Sequence, residues 1–391
     1  MLTTEVVYRH LNKYGEELCG DRVEIRKSAL QDVVVMSDGL GSGVKANILS
    51  SLTTSIIATM LREGCSLHET ADTLNRTLPV CKVRNIAYST FTALKVDHTG
   101  NVEAAEYDNP DLMWFSGSKL KFIPRQEIVF SDRMKIKKSN FAMKENDFIV
   151  VVSDGVIHAG IGKTWNLGWS WERVSRYLKS GITPQTTAVE LCDYLVEVVD
   201  KLYVQQPGDD ATVVVLHYRK NREATLMIGP PADPSLDGAV VEKMLASNGT
   251  KIVCGGTTGN IVAKHMGKDI DVLLETSTKK VPAIGKLDGI DLLTEGVLTL
   301  AEVVEMLRKK VNTKDQDIKY RTDGAALMYK ELVRADIITI LLGRAINPAH
   351  QNPETPTHLG LKFHLIKELE YLLTEMGKQV TLETQQAAGP Y

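Results

Sequence analysis

Polar and apolar positions in the first 220 residues follow two different periods. Residues 43–63 carry Val44, Ile48, Leu49, Leu52, Ile56 and Met60 near helical spacing, which predicts one long helix. A second helix over 67–78 is predicted from Ser66 as its cap, with Glu69 at the capping-box position. Short apolar runs bounded by turn residues predict strands near 21–27, 32–37, 88–96, 102–107, 112–115, 119–123, 148–152 and 211–218. His98-Thr99-Gly100, with Asn101 following, reads as a hairpin turn. Further helices are expected near 171–179 and 184–203, and a short polar one around 4–18. Paired helices inside a strand-rich meander imply an α+β layered sandwich rather than regular βαβ alternation.

The polar string HYRKNREA at 217–224 reads as a seam, and the rhythm changes beyond it. Apolar runs at 224–228, 251–254, 272–275 and 337–342 alternate with helical patterns near 237–248, 258–266, 299–311 and 359–376. This predicts a second, smaller α/β domain over 221–391, after a first domain over 1–220. A length of 391 residues fits two cores better than one. The tail TLETQQAAGPY is expected to fray.

Composition narrows the class. With 43% hydrophobic and 24% charged residues and a net charge of -3, the chain reads as a soluble globular protein with no basic excess, so nucleic acid is not an expected partner. No apolar run of membrane-spanning length stands out, and the first residues lack the layout of a signal peptide. The expectation is a cytoplasmic protein without a membrane partner. Five dispersed cysteines without CxxC spacing point to free thiols.

The chemistry gathers at strand ends. Val33-Val34-Val35-Met36-Ser37-Asp38-Gly39 runs from an apolar strand into a carboxylate and a bare backbone, and Phe148 to Val152 leads into Ser153-Asp154-Gly155 in the same way. Gly208-Asp209-Asp210-Ala211-Thr212-Val213 is the reverse, with carboxylates before a strand, and Cys19-Gly20-Asp21 precedes the strand ahead of Asp38. A single Asp-Gly is ordinarily a turn. Two Ser-Asp-Gly strand ends with a Gly-Asp-Asp strand start are a constellation. Aspartates without nearby His or Cys suit hard divalent cations such as Mg²⁺ and Mn²⁺. Two such ions can activate a shared water and clamp a phosphoryl group, so no protein nucleophile is needed.

Residues 15–220 resemble the metal-dependent protein phosphatase superfamily, most closely its bacterial branch typified by stage II sporulation protein E. The resemblance rests on Gly20-Asp21, Ser37-Asp38-Gly39-Leu40-Gly41-Ser42-Gly43, Tyr88-Ser89-Thr90, Asp108-Asn109-Pro110, Ser153-Asp154-Gly155 and Gly208-Asp209-Asp210-Ala211-Thr212-Val213 in that order. It implies two packed antiparallel sheets flanked by helix pairs. It also implies that Asp38 bridges two Mn²⁺ or Mg²⁺ ions, one of them bound by the Gly39 carbonyl. Asp154 and Asp209 would bind the other, and Asp21 would hold metal-bound water or complete the second site. Asp210, where relatives often have Asn, would support the ligands from behind. The implied reaction is removal of phosphate from a phosphoserine or phosphothreonine protein, such as an anti-anti-sigma-type regulator, with a homodimer as an allowed assembly. The helices after Asp38 would be a control point that switches metal binding. Many eukaryotic relatives have an N-terminal Arg for phosphate and a His near the first metal corner; neither has a counterpart here, and Arg22 and Arg26 read as solvated strand charges.

Competing readings concern the glycines and the second half. Glycines at 39, 41 and 43 do not make the G-x-G-x-x-G dinucleotide fingerprint, and Asp38 beside them would repel a pyrophosphate. In the second half, Lys251 to Asn260 reads as a strand, a Gly-rich turn and a helix start that either holds an anion or only connects. The stretches 288–296 and 347–353 read as polar loops, and His265 as a surface residue rather than a metal ligand. The second domain is therefore expected to regulate or dock. Two alternatives are a non-catalytic signalling adaptor on a phosphatase scaffold, and a phosphatase fused to a nucleotide- or small-molecule-binding module. Retention of Asp21, Asp38, Asp154 and Asp209 argues against the adaptor.

Overall fold

The computed structural model describes residues 2–28, 30–77, 89–131, 134–309, 318, 320–343 and 357–384. The chain divides into two compact units, Met1–Lys220 and Asn221–Tyr391. In the first unit, strands β1 (Leu2–Leu11), β2 (Asp21–Arg26) and β3 (Gln31–Gly39) precede helices α1 (Gly43–Arg62) and α2 (Leu67–Thr77). Strands β4 (Ser89–Asp97), β5 (Asn101–Tyr107), β6 (Met113–Ser116), β7 (Lys119–Lys121), β8 (Gln126–Ser131), β9 (Met134–Ala142) and β10 (Asp147–Val152) form the meander. A short α3 (Asp154–Ile157), α4 (Trp171–Gly181), α5 (Ala188–Leu202) and β11 (Ala211–Lys220) complete it.

These strands make two antiparallel sheets, one ordered β1-β11-β10-β6-β7 and the other β2-β3-β4-β5-β9-β8. Side-chain alternation builds four layers from them. On β3, Val34 and Met36 meet Ile149, Val151, Val214 and Leu216 of the opposite sheet, forming the inter-sheet core. Val33 and Val35 point the other way, onto Ile57, Leu61 and Leu74 of α1 and α2. On the far side, Phe148, Val150, Val213 and Val215 pack against Val174, Leu178, Leu191 and Leu195 of α4 and α5. Asp38 continues the parity of Val34 and Met36, and Asp21 that of Val23. Both carboxylates therefore belong to the inner faces of the sandwich, at its end.

The second unit is built on β12 (Glu223–Ile228), β13 (Thr250–Cys254), β14 (Asp271–Leu273), β15 (Ile284–Leu287), β16 (Ile290–Thr294), β17 (Ile337–Leu342) and β18 (Gln379–Thr384). Its helices are α6 (Asp237–Ala246), α7 (Gly256–Met266), α8 (Val297–Arg308), α9 (Gly324–Arg334) and α10 (Thr357–Glu375). The sheet order is β14-β15-β16-β13-β12-β17-β18, parallel from β16 to β18. Helices cover both faces: α6 and α7 pack on Met227 and Val253, whereas α8, α9 and α10 pack on Leu226 and Ile252.

Several expectations need correction. The segment expected as a helix around 4–18 is instead strand β1, paired with β11 over ten positions from Leu2↔Lys220 to Leu11↔Ala211. Its β-branched Thr3, Thr4, Val6 and Val7 suit an edge strand, and the partner that decides the matter lies 200 residues away. The polar stretch 288–296 contains the whole of β16, and α9, β8, β9 and β15 were not foreseen from the sequence. The expected fraying begins too early, because Thr381 to Thr384 pair in β18. The helix predicted over 43–63 forms as α1, with Val44, Ile48 and Leu52 exposed and Ala46, Ser50, Thr53, Ile57 and Leu61 buried. By length and composition α1 also passes as a membrane span, contrary to the expectation of none, although its buried face belongs to the sandwich. The Ser66 cap forms, with Glu69 N–H donating to Ser66 Oγ at 3.1 Å and Ser66 N–H to the Glu69 carboxylate at 2.8 Å. Cys19, Cys65, Cys192 and Cys254 are free thiols, whereas Cys81, Tyr88 and the 347–353 loop lie outside the described residues.

Candidate metal-binding active site

Asp21 opens β2 and Asp38 lies next to last on β3, directly opposite one another in the antiparallel register. Facing pairs of this kind bring side chains to about 5 Å at Cβ. Two like charges so placed, with no cation between them, are costly. Asp21 is 5% exposed, and neither of its carboxylate oxygens has a hydrogen-bond partner. Burial, with the Asp210 and Asp154 carboxylates nearby, holds its carboxyl well above the usual range, against the opposing pull of the Thr212 and Ser153 hydroxyls. Asp38 is pushed up further, by burial first and then by Asp21, Asp154 and Asp209. Asp209 is raised by burial and by Asp154. These influences identify one shared environment at the end of the sandwich.

The backbone around the carboxylates is close-fitting. A Cβ on Gly39 would stand 2.1 Å from the Ala46 carbonyl oxygen, so only glycine lets the first turns of α1 lie against the end of β3. A Cβ on Gly155 would meet the Asp210 carbonyl oxygen at 2.0 Å, which locks the Ser-Asp-Gly corner of β10 to the Gly-Asp-Asp entry of β11. The serines of the two corners work on the backbone: Ser37 Oγ donates to the Thr90 carbonyl at 2.6 Å, and Ser153 Oγ accepts from Thr212 N–H at 2.8 Å. Asp210 spends both carboxylate oxygens on main-chain N–H groups, of Lys13 at 2.9 Å and Gly20 at 2.8 Å. It thereby ties the loop entering Asp21 to the loop carrying Asp209.

Three further residues belong to the site, two of which, Lys163 and Tyr203, lie in no motif. Lys163, in the loop after α3, donates from Nζ to the carbonyls of Tyr203 and Gln206 at 2.7 and 2.8 Å. It clamps a turn in which Val204 and Gln205 both have left-handed backbone (φ 55 and 58), just before Asp209. Tyr203 donates from its hydroxyl to the Gly155 carbonyl at 2.7 Å. Asp108, at φ 49 and raised by partial burial and by Asp154, is a fifth carboxylate at this end. Its turn is anchored by Asn109 Nδ2, which donates to Thr92 Oγ1 at 2.9 Å. A lone lysine in a polar loop gives the sequence reader nothing to find; Asp108 was visible within Asp-Asn-Pro but without an assigned task.

The donor set fits a hard divalent cation: carboxylate oxygens without partners, mutually raised pKa values, and bare glycine backbone beside them. The carboxylates do not form a closed ligand shell. Among the described residues no group of three or more His, Cys, Asp or Glu side chains stands in a metal-holding arrangement.

Residues 31–219 match the family described as stage II sporulation protein E. No curated protein matches the chain. Among solved structures, the chain is similar to the phosphatase domain of SpoIIE from Bacillus subtilis, at 20% identity and TM-score 0.45, covering 56% of this chain and 94% of that one. A second Bacillus subtilis structure, comprising that PP2C phosphatase domain with a fragment of the regulatory domain, matches at 20% identity and TM-score 0.47, covering 55% and 63%. The RsbU and RsbW domains of a Mycobacterium tuberculosis protein match at 15% identity and TM-score 0.48, covering 62% and 68%.

Proposed function

With residues 31–219 a SpoIIE-type domain of the metal-dependent protein phosphatase family, we propose that the first unit hydrolyses phosphoserine or phosphothreonine on a protein partner. The observation that carries this reading is the facing pair Asp21 and Asp38, with Asp21 buried and unpartnered, Asp38 half-buried, and Asp154 and Asp209 acting on Asp38. On this reading Asp38, the Gly39 carbonyl, Asp154 and Asp209 would hold Mn²⁺ or Mg²⁺, with Asp21 holding metal-bound water or completing the set. The ions would activate a water for attack at phosphorus and offset the charge of the phosphoryl group.

The chain's own residues do the rest. Asp210 holds the two ligand-bearing loops together through the Lys13 and Gly20 amides. Tyr203 and Lys163 fix the turn ahead of Asp209 against Gly155. Rigid carriage of this kind keeps ligands near productive geometry. The family's expected partner is a phosphorylated regulator, an anti-anti-sigma-type protein being one member of that class, and the second unit is proposed to regulate or dock.

The adaptor reading has one observation in its favour, the open ligand set. The test that separates the two is phosphate release from a phosphoserine peptide by the full chain with Mn²⁺ or with EDTA, and by Asp38→Asn. Manganese-dependent release that disappears in the variant is expected. No release from wild type in the presence of Mn²⁺, together with no metal binding, would leave the adaptor.

A further inference from the structure

In the second unit the parallel strands stand in the order β16-β13-β12-β17-β18, which in chain order is third, second, first, fourth, fifth. The chain starts in the middle at β12, winds outward through β13 and β16, then returns past β12 and winds the other way through β17 and β18. The helix leaving β12, α6, lies on one face of the sheet, and the helix leading into β18, α10, on the other. Loops departing to opposite faces part from one another, and a crevice opens beyond the carboxyl ends of the strands where the order reverses. Here that point lies between β12 and β17.

A charged group stands at that point. Lys362, on α10, donates from Nζ to the carbonyl of Gly343, just past β17, at 3.0 Å. The same nitrogen lies 2.5 Å from where a Cβ on Gly229, just past β12, would be. It also acts electrostatically on the thiol of Cys254, the last residue of β13. One ammonium therefore sits over the carboxyl ends of three adjacent central strands. It is half-buried, burial holds its pKa below the usual lysine range, and among the described residues no carboxylate is paired with it. A half-buried cation without a carboxylate partner is one that an anion would relieve. Among the described residues the buried side chains of α10 are Leu365, Ile366, Leu369 and Leu373, so Lys362 is not part of its apolar core.

The second charge at this edge is Glu295, just past β16, which also acts on the Cys254 thiol. Its Oε1 lies 3.1 Å from the position of a Cβ on Gly256, at the start of α7. That carboxylate occupies the entrance to α7, so the anion's seat is on Lys362 rather than on the α7 amides. Glu295 thus supplies a carboxylate acceptor at the same sheet edge as the cation, which suits a ligand carrying hydroxyl groups as well as a phosphate.

We propose that the carboxyl edge of the second unit binds a nucleotide, its phosphate on Lys362 and its ribose hydroxyls toward Glu295. The proposal does not depend on the first unit being a phosphatase.

The test is calorimetric titration of the full chain in EDTA, so that the first unit holds no metal, with ADP, GDP, NAD⁺ and inorganic phosphate in turn. At least one nucleotide should bind more tightly than phosphate. Lys362→Met should weaken that binding at least tenfold, Lys362→Arg should retain most of it, and Asp38→Asn should leave it unchanged. Equal unliganded melting temperatures for Lys362→Arg and wild type would show that the comparison is between folded proteins. Wild-type protein that binds none of these nucleotides more tightly than phosphate would overturn the proposal. So would nucleotide binding that Lys362→Met leaves intact, or that Asp38→Asn abolishes.

Discussion

Asp209 and Asp210 are neighbours in the chain with opposite environments, and the contrast makes predictions at the scale of single residues. Asp210 is buried with both oxygens satisfied by main-chain N–H groups. Replacing it with Asn leaves one of those amides facing an NH₂ group, so Asp210→Asn should cost about 1.5–3 kcal/mol in urea denaturation. Asp38 is the reverse case, a carboxylate whose neighbours oppose its charge. Its folded pKa is raised above the ordinary 3.8, so its contribution to stability is complete below that value and is lost as pH rises toward the folded one. In EDTA, Asp38→Asn should therefore melt at a higher temperature than wild type at pH 8, and the advantage should shrink toward pH 4. A variant that melted lower at pH 8 without metal would show that the carboxylate is satisfied by something other than a cation. Lys163 makes a third case. Lys163→Ala frees the turn at Val204 and Gln205 and should weaken manganese binding severalfold, at a stability cost of about 2 kcal/mol or less. Isothermal titration read beside thermal melting separates the two effects.

Among elements, the most consequential contact is between β3 and α1, where the Ala46 carbonyl lies against Gly39. Gly39→Ala cannot be absorbed by a side-chain rotation, because the obstacle is helix backbone. The expected cost is about 3 kcal/mol, and the first turn of α1 should lose hydrogen-exchange protection while α5 keeps its own. Uniform loss over both helices would mean that α1 is not separately coupled to the site. Legibility in the sequence also divides by element. The Ser-Asp-Gly corners were readable because the apolar run, the carboxylate and the glycine are contiguous. β1 was not readable, since Thr3, Thr4, Val6 and Val7 alternate with Glu5, Tyr8 and Arg9 in a pattern that only pairing with β11 decides. α9 had a signal that went unused: Asp323 caps it, accepting from Ala326 N–H at 3.2 Å. The spacing of Val44, Ile48 and Leu52 predicts α1 although these residues are exposed, and the buried face combines small and hydroxyl side chains with Ile57 and Leu61.

For the molecule as a whole, two cores in one chain mean that no single unfolding free energy describes it. The first unit has its own inter-sheet core and two helix layers, and the second its own two-faced parallel sheet. Residues 1–220 produced alone should fold cooperatively by circular dichroism and keep the manganese affinity of the full chain. A truncated chain that was unfolded, or tenfold weaker for manganese, would tie the site to the second unit. Strand order in that unit could not be read from the sequence, because order is set by pairings such as β12 with β17, more than a hundred residues apart. The Gly-rich turn after β13 was legible as a possible anion seat, whereas Lys362, which the fold brings to the same edge, was not.

The most direct measurement is calorimetric titration of metal-stripped full-length protein with Mn²⁺, wild type against Asp38→Asn. Two bound ions per chain in the wild type, with binding lost or reduced to one weak site in the variant, is the predicted result. A wild-type chain that binds no manganese, or a variant that binds as wild type does, would contradict a metal centre at Asp21, Asp38, Asp154 and Asp209.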